Sequence, residues 1–191
     1  MGWNTDTFKR SGRVLRTLAL GIAFFGLLSA FGSTANAQAF TEGFDNVAGL
    51  PAAGWFSVNK SQPLGASTWS QCGGTAIPPA QSGASTSCAL VNFNSTTGAG
   101  TISNWLITPE RTFSNGDVIS FYTKTPSNTF PDRLQVRLSG AGSSTDTGTT
   151  ATDVGVFTTL LLDIDPTYAG TYPTTWTQFT ITISGLSAPT A

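Results

Sequence analysis

An all-β fold is predicted for this chain by three observations. Beyond Gln38 no stretch keeps a helical period for three turns, short runs alternate apolar with polar residues, and Gly, Pro, Asn and Ser clusters separate them. Strands with one wet face imply two antiparallel sheets packed face to face, or a barrel. Long irregular connections such as Gly140–Thr152 favour the sandwich.

The order of elements follows from the residues. Residues 1–37 read as an export leader: Lys9, Arg10, Arg13 and Arg16 precede the apolar run Leu18–Phe31, and Ala35-Asn36-Ala37 offers small residues before a cut at Gln38. That run is shorter than the roughly 20 residues a membrane-spanning helix needs, so contact with a membrane is expected only through the leader during export. Residues 38–191 are then one domain of 154 residues, long enough to bury a core. Thr41–Phe44, Gly54–Val58 and Thr68–Gln71 are short candidate strands, followed by Cys88–Phe93 and Thr101–Thr108. Asn115-Gly116 is a turn that feeds Val118–Lys124. In Asp132–Ser139, Leu134, Val136 and Leu138 are expected inward and Arg133, Gln135 and Arg137 outward. The Ser/Thr/Gly-rich stretch 140–152 reads as a flexible loop, and Gly155–Ile164 is apolar enough to be a central strand. Trp176–Ser184 repeats the alternation with Phe179, Ile181 and Ile183 inward. The chain then ends at Ala191 without a charged tail or sorting signal; either the sandwich closes at residue 184, or one or two further strands are missing and an edge is left open.

Composition excludes several function classes. Beyond the leader there are five basic and nine acidic residues, a formal charge of −4. A phosphate backbone asks for clustered Lys and Arg, so no nucleic-acid partner is expected. The chain holds no histidine, which removes His-based nucleophile triads and the commonest zinc ligand. Cys72 and Cys88 stand sixteen positions apart in the exported part and are expected to form a disulfide that pins a loop.

Several segments together resemble the choice-of-anchor J domain of bacterial exported proteins: Ala39-Phe40-Thr41-Glu42-Gly43-Phe44-Asp45, Leu50-Pro51 with Gly54-Trp55, Ser103-Asn104-Trp105-Leu106-Ile107-Thr108-Pro109, Asp132–Ser139, and Tyr172-Pro173 with Trp176. That domain is similar in turn to cleaved-adhesin modules and to MAM-like jelly rolls. The resemblance implies a jelly-roll β-sandwich, exported and held at the cell surface, with a role in adhesion or ligand binding rather than catalysis.

The candidate chemistry is sparse. Paired carboxylates are all that glycoside hydrolysis requires, but Glu42, Asp45, Glu110, Asp117, Asp132, Asp153, Asp163 and Asp165 form no pattern that singles out an acid and a base. A structural calcium ion is a better use for carboxylates in loops, and Glu42, Asp45 and Asp132 are the expected ligands, in keeping with the calcium that the related adhesin-type jelly rolls carry. The alternative is that each is an exposed turn acid, with Asp132 paired to Arg133 or another arginine. Asp163-x-Asp165 reads as a strand end entering the Pro166 turn. Trp69, Tyr168 and Tyr172 are the expected ligand-binding aromatics, placed beside loops where they could stack on sugar rings or anchor a protein. Asn94-Ser95-Thr96 fits a glycosylation sequon and marks a surface turn.

The expected function is therefore a non-catalytic adhesion or ligand-binding module, secreted or at the cell surface, with a protein or glycan ligand. A carbohydrate-binding module or glycoside hydrolase of similar fold is the alternative, and a structural envelope or matrix component comes third.

Overall fold

A computed structural model describes residues 39–73 and 79–191. The expected leader and its cut before Gln38 lie outside those residues. Where described, the chain is all-β, with two short 3-10 helices, Val47–Ala53 and Phe93–Ser95. The strands are β1 (Phe56–Asn59), β2 (Gln62–Leu64), β3 (Ser70–Gln71), β4 (Ala89–Leu90), β5 (Thr96–Thr101), β6 (Asn104–Ile107), β7 (Val118–Thr123), β8 (Leu134–Leu138), β9 (Thr159–Ile164) and β10 (Thr177–Thr182).

Every ladder is antiparallel and two-stranded, and the pairings nest. β3 pairs β4, β2 pairs β5 and β1 pairs β6, so the strands β1–β6 form one ribbon with the β3–β4 pair at its tip. β8 pairs β9 and β7 pairs β10, a second nested ribbon over residues 118–182. Nesting is the consequence of many short strands joined by hairpin-like returns, because each inner pair brings the flanking outer pair into register.

The first ribbon is fastened at its tip. Cys72 and Cys88 form the expected disulfide, with Cα atoms 5.2 Å apart, and Cys72 N donates to Cys88 O at 2.8 Å. Beside it the Gln71 carboxamide donates to the carbonyls of Phe44, Thr86 and Cys88, and accepts from Val47 N at 2.7 Å. One side chain thus ties the N-terminal segment to the far strand of the hairpin. The first 3-10 helix starts at Asn46, whose side chain accepts from Gly49 N at 3.1 Å, and stops at Gly54, whose φ of 87° only glycine adopts without strain. It buries Val47 and Leu50 against Trp55, with Phe44, Ala89 and Leu106 around them.

In β7 and β10 of the second ribbon the period-two alternation is obeyed, but not in β8, where Leu134 to Arg137 are all half-buried and Leu138 and Ser139 are buried together. Ile181 and Ile183 are buried while Gln178, Thr180 and Thr182 face solvent, and the ring of Phe179 stacks on Phe121 at 5.8 Å. Four further expectations change. Thr41–Phe44 forms no strand, because Phe44 takes a left-handed φ of 56° with its N–H held by the Glu42 carboxylate at 2.7 Å. Cys88–Phe93 contributes only Ala89–Leu90, since Asn92 caps a 3-10 turn by accepting from Asn94 N at 2.9 Å. The strand expected over Gly155–Ile164 begins at Thr159 and pairs with β8 alone; Leu160 remains 46 % exposed, so it is not a central strand. Stretch 140–152 is pinned rather than loose: the Asp153 carboxylate accepts from Thr149 N and Thr150 N, both at 2.8 Å, and Ala151 N donates to Gln62 at 3.4 Å.

Candidate functional site

The turn Asp165–Tyr172 carries the least ordinary backbone in the second ribbon. Asp165 and Tyr168, neither of them glycine, hold φ values of 52° and 55°, in the left-handed region that costs an L-residue roughly 1–2 kcal/mol. The sequence supplies what offsets that strain. Asp165 is 4 % exposed, and its carboxylate accepts four hydrogen bonds, from Ala169 N, Gly170 N, Thr171 N and Thr171 Oγ1, at 2.8–3.2 Å. Gly170, at φ 75°, lets the chain turn back beneath Asn128. The result is a rigid crest on which Tyr168 stands 55 % exposed. Strain that the surroundings enforce is a recognised mark of functional positions.

Two neighbours complete the platform. The loop 126–133 abuts the turn, because Asn128 Nδ2 donates to Tyr172 O at 3.1 Å, and at its tip Phe130 is 84 % exposed. Just before β8 and on β8 and β9, polar side chains form a fan: Arg133 binds Asp163 through Nε at 2.8 Å and Nη2 at 2.5 Å, and Gln135 Nε2 donates to the same carboxylate at 3.0 Å. Arg137 Nε donates to Gln135 Oε1 at 2.9 Å, extending the fan along the strand. Tyr168 is near enough to Arg133 to favour its charged form. An exposed aromatic, a second one on the abutting loop and a row of fixed donors and acceptors are the materials of a recognition surface.

Electrostatics hold this surface in one protonation state. Arg133 is raised above its ordinary value by its hydrogen bond to Asp163. Asp163 is lowered by the hydrogen bond from Arg133, against the cost of burial. Burial alone pushes Asp165 up, but the bonds from Ala169, Thr171 and Gly170 outweigh it and leave the carboxyl below its usual range. Asp153, in the pinned stretch, falls from 3.8 to about 2 through the N–H groups of Thr150 and Thr149. A folded pKa below the unfolded one adds stability above the unfolded pKa and loses it as pH falls through the folded one. The thermal midpoint is therefore expected to drop steeply between about pH 5 and pH 2, and Asp165→Asn should flatten that drop while lowering the midpoint at neutral pH. An unchanged acid profile in this variant would show that the carboxylate does not hold the turn.

The residues singled out in the sequence fare differently. Tyr168 stands on the crest, whereas Tyr172 is 7 % exposed with its hydroxyl 2.6 Å from Thr123 Oγ1; three residues separate the top of the turn from its buried root. Burial raises the Tyr172 pKa, with Asp132 adding to it and the Thr123 bond opposing. Trp69 is half-buried and lines a hollow of about 170 Å³ with Val47, Leu50, Trp55 and Leu106; small-molecule sites run to about 300–1,000 Å³. The three expected calcium ligands each have another partner: Glu42 accepts from Phe44 N, Asp45 from Ser87 Oγ at 2.5 Å, and Asp132 from Thr125 Oγ1 at 2.6 Å. Among the described residues no three His, Cys, Asp or Glu side chains gather so as to hold a metal ion. Asp132 is not the partner of Arg133; Asp163 is.

The chain matches no family model, no curated protein and no solved structure. The likeness to choice-of-anchor J domains stands on the motif residues alone. What the sequence reading missed is the ensemble of Phe130, Arg133, Gln135 and Asp163. Its signal was partly present, in the outward placing of Arg133 and Gln135, but the register Gln135↔Asp163 across 28 residues had to be known to join them.

Proposed function

We propose that this protein is an exported, non-catalytic adhesion or ligand-binding module of jelly-roll type, acting at the cell surface or in the medium. The observation that carries the reading is Tyr168, more than half exposed on a left-handed backbone that a buried carboxylate holds in place. A chain that maintains strain to display an aromatic is arranged for contact. The two nested antiparallel ribbons suit a jelly roll, in which strands return as Greek keys. The disulfide suits an oxidising compartment, and among the described residues no helix is long and apolar enough to cross a membrane.

Binding is favoured over catalysis by the state of the nearby acids. Asp163 is covered by Arg133 and Gln135, and Asp165 by four donors, so both stay ionised and neither is placed to give or take a proton. The test is adhesion. Beads carrying the exported protein should attach to bacterial cells or extracellular matrix, and Tyr168→Ala or Phe130→Ala should lower attachment by about tenfold or more. Tyr122→Ala, on the exposed face of β7, serves as the control. Full attachment by both platform variants would overturn the reading.

A further inference from the structure

We infer that the Tyr168 platform takes a neutral oligosaccharide, with a pyranose face on the Tyr168 ring and sugar hydroxyls hydrogen-bonded to the Arg133–Asp163–Gln135 fan. This rests on the binding role proposed above and names its ligand class.

The chemistry of the fan selects the class. A sugar offers vicinal hydroxyls in a nearly planar row, each both donor and acceptor, and its C–H groups present an apolar face. Recognition needs planar side chains with fixed orientation beside an aromatic ring. Arg133, Gln135 and Asp163 are planar groups fixed by one another at 2.5–3.0 Å. Each keeps unused capacity: a guanidinium has five N–H donors and a carboxylate about four acceptor sites, while the fan itself uses two of the former and three of the latter. Arg133 and Asp163 also cancel in charge, and the remaining cation of the fan, Arg137, is half-buried with Nε and Nη1 already bonded to Gln135 Oε1 and the Phe157 carbonyl, which leaves it poorly placed to neutralise a uronate, sulfate or phosphate group. The mature chain is net acidic as well.

A protein partner fits less well. Protein interfaces bury roughly 800 Å² on each side around an apolar centre, whereas Phe130 and Tyr168 are flanked in the chain by the polar residues Ser127, Asn128, Thr129 and Thr167. Two separate aromatics in a polar field match a ligand that alternates apolar faces with hydroxyl edges. Phe130, on the abutting loop, is available for a neighbouring sugar unit.

The experiment is isothermal titration of the exported protein with β-linked hexasaccharides of glucose, xylose, mannose and N-acetylglucosamine, and with a polyuronate of the same length. At least one neutral hexasaccharide is expected to bind, with an affinity little changed by salt, and the polyuronate not to. The decisive variant is Tyr168→Gly. Glycine relieves the left-handed strain, so its melting temperature should be unchanged or higher while binding weakens by about tenfold or more. Gln135→Ala and Asp163→Asn should weaken binding too. Three results would overturn the inference. If no neutral hexasaccharide binds but Tyr168-dependent attachment persists, the ligand class is wrong and the binding role stands. If Tyr168→Gly binds a hexasaccharide as the parent does, the sugar site lies elsewhere. If Tyr168→Gly changes neither sugar binding nor attachment, both readings fall.

Discussion

Replacing both Cys72 and Cys88 by serine is expected to lower the unfolding free energy by about 3 kcal/mol, the unfolded-state entropy released when a loop of this length is no longer closed. For a chain of this size that is a drop of roughly 6–12 °C in the thermal midpoint. The loss should be local before it is global. The disulfide closes the tip of the first ribbon, where the Gln71 side chain draws together Phe44, Val47, Thr86 and Cys88, and where Ser87 binds Asp45. Without the bridge these bonds must hold segments that are free to part. Amide exchange should therefore rise first at Val47, Cys72 and Gly49, well before β7 and β10 open. Differential scanning calorimetry with and without reductant provides the check; an unchanged midpoint after full reduction would mean that the hydrogen bonds alone fasten the tip.

The other large effect lies at Ile183. Among the described residues it is the one apolar side chain of its size with no exposed surface, 0 %, and its backbone is fixed from both sides: Ile183 N donates to Asp117 O and Gly116 N donates to Ile183 O, both at 2.8 Å. A site so pinned collapses poorly around a cavity, so Ile183→Ala should cost about 2–5 kcal/mol and Ile183→Val about 0.5–1.5 kcal/mol. Thr182→Ala, its exposed neighbour, is expected to stay within about 0.5 kcal/mol of the parent. Urea unfolding of the three variants gives the comparison. Similar losses at positions 182 and 183 would mean that the inward and outward faces of this segment are not distinguished.

Strand existence was legible where a single face is buried. Val118–Lys124, Asp132–Ser139 and Trp176–Ser184 each contain the observed strand, and Phe179, Ile181 and Ile183 point as the alternation requires. The period of two carries that information residue by residue. It gives no guide at Gly155–Ile164, where apolar content suggests a central strand. A run of Leu residues reads alike whether one partner strand flanks it or two, and here only β8 does. It failed at Thr41–Phe44, because a carboxylate two residues away bends the chain at a position where alternation alone suggests extension.

The candidate site was legible only in pieces. Tyr168 could be picked out because an aromatic beside Gly170 in a Pro-led turn is often displayed. Tyr172, four residues on, carried the same local signal and is buried. Arg133 had an adjacent acid in Asp132, yet the hydrogen-bonded partner is Asp163 on the paired strand. Neighbours in sequence on a strand point to opposite faces, whereas cross-strand neighbours share one.

By itself the sequence determined an all-β chain without histidine chemistry, two cysteines placed to close one loop, and the inward and outward faces of β7 and β10; each depends on local composition or on a period of two. The tertiary structure alone decided that the ladders nest into two ribbons, that Arg133 meets Asp163, and that Asp165 turns inward to hold Tyr168 out. Those outcomes rest on register between segments some 30 residues apart, and pairing register is set by which faces are buried together, a property of the folded chain as a whole.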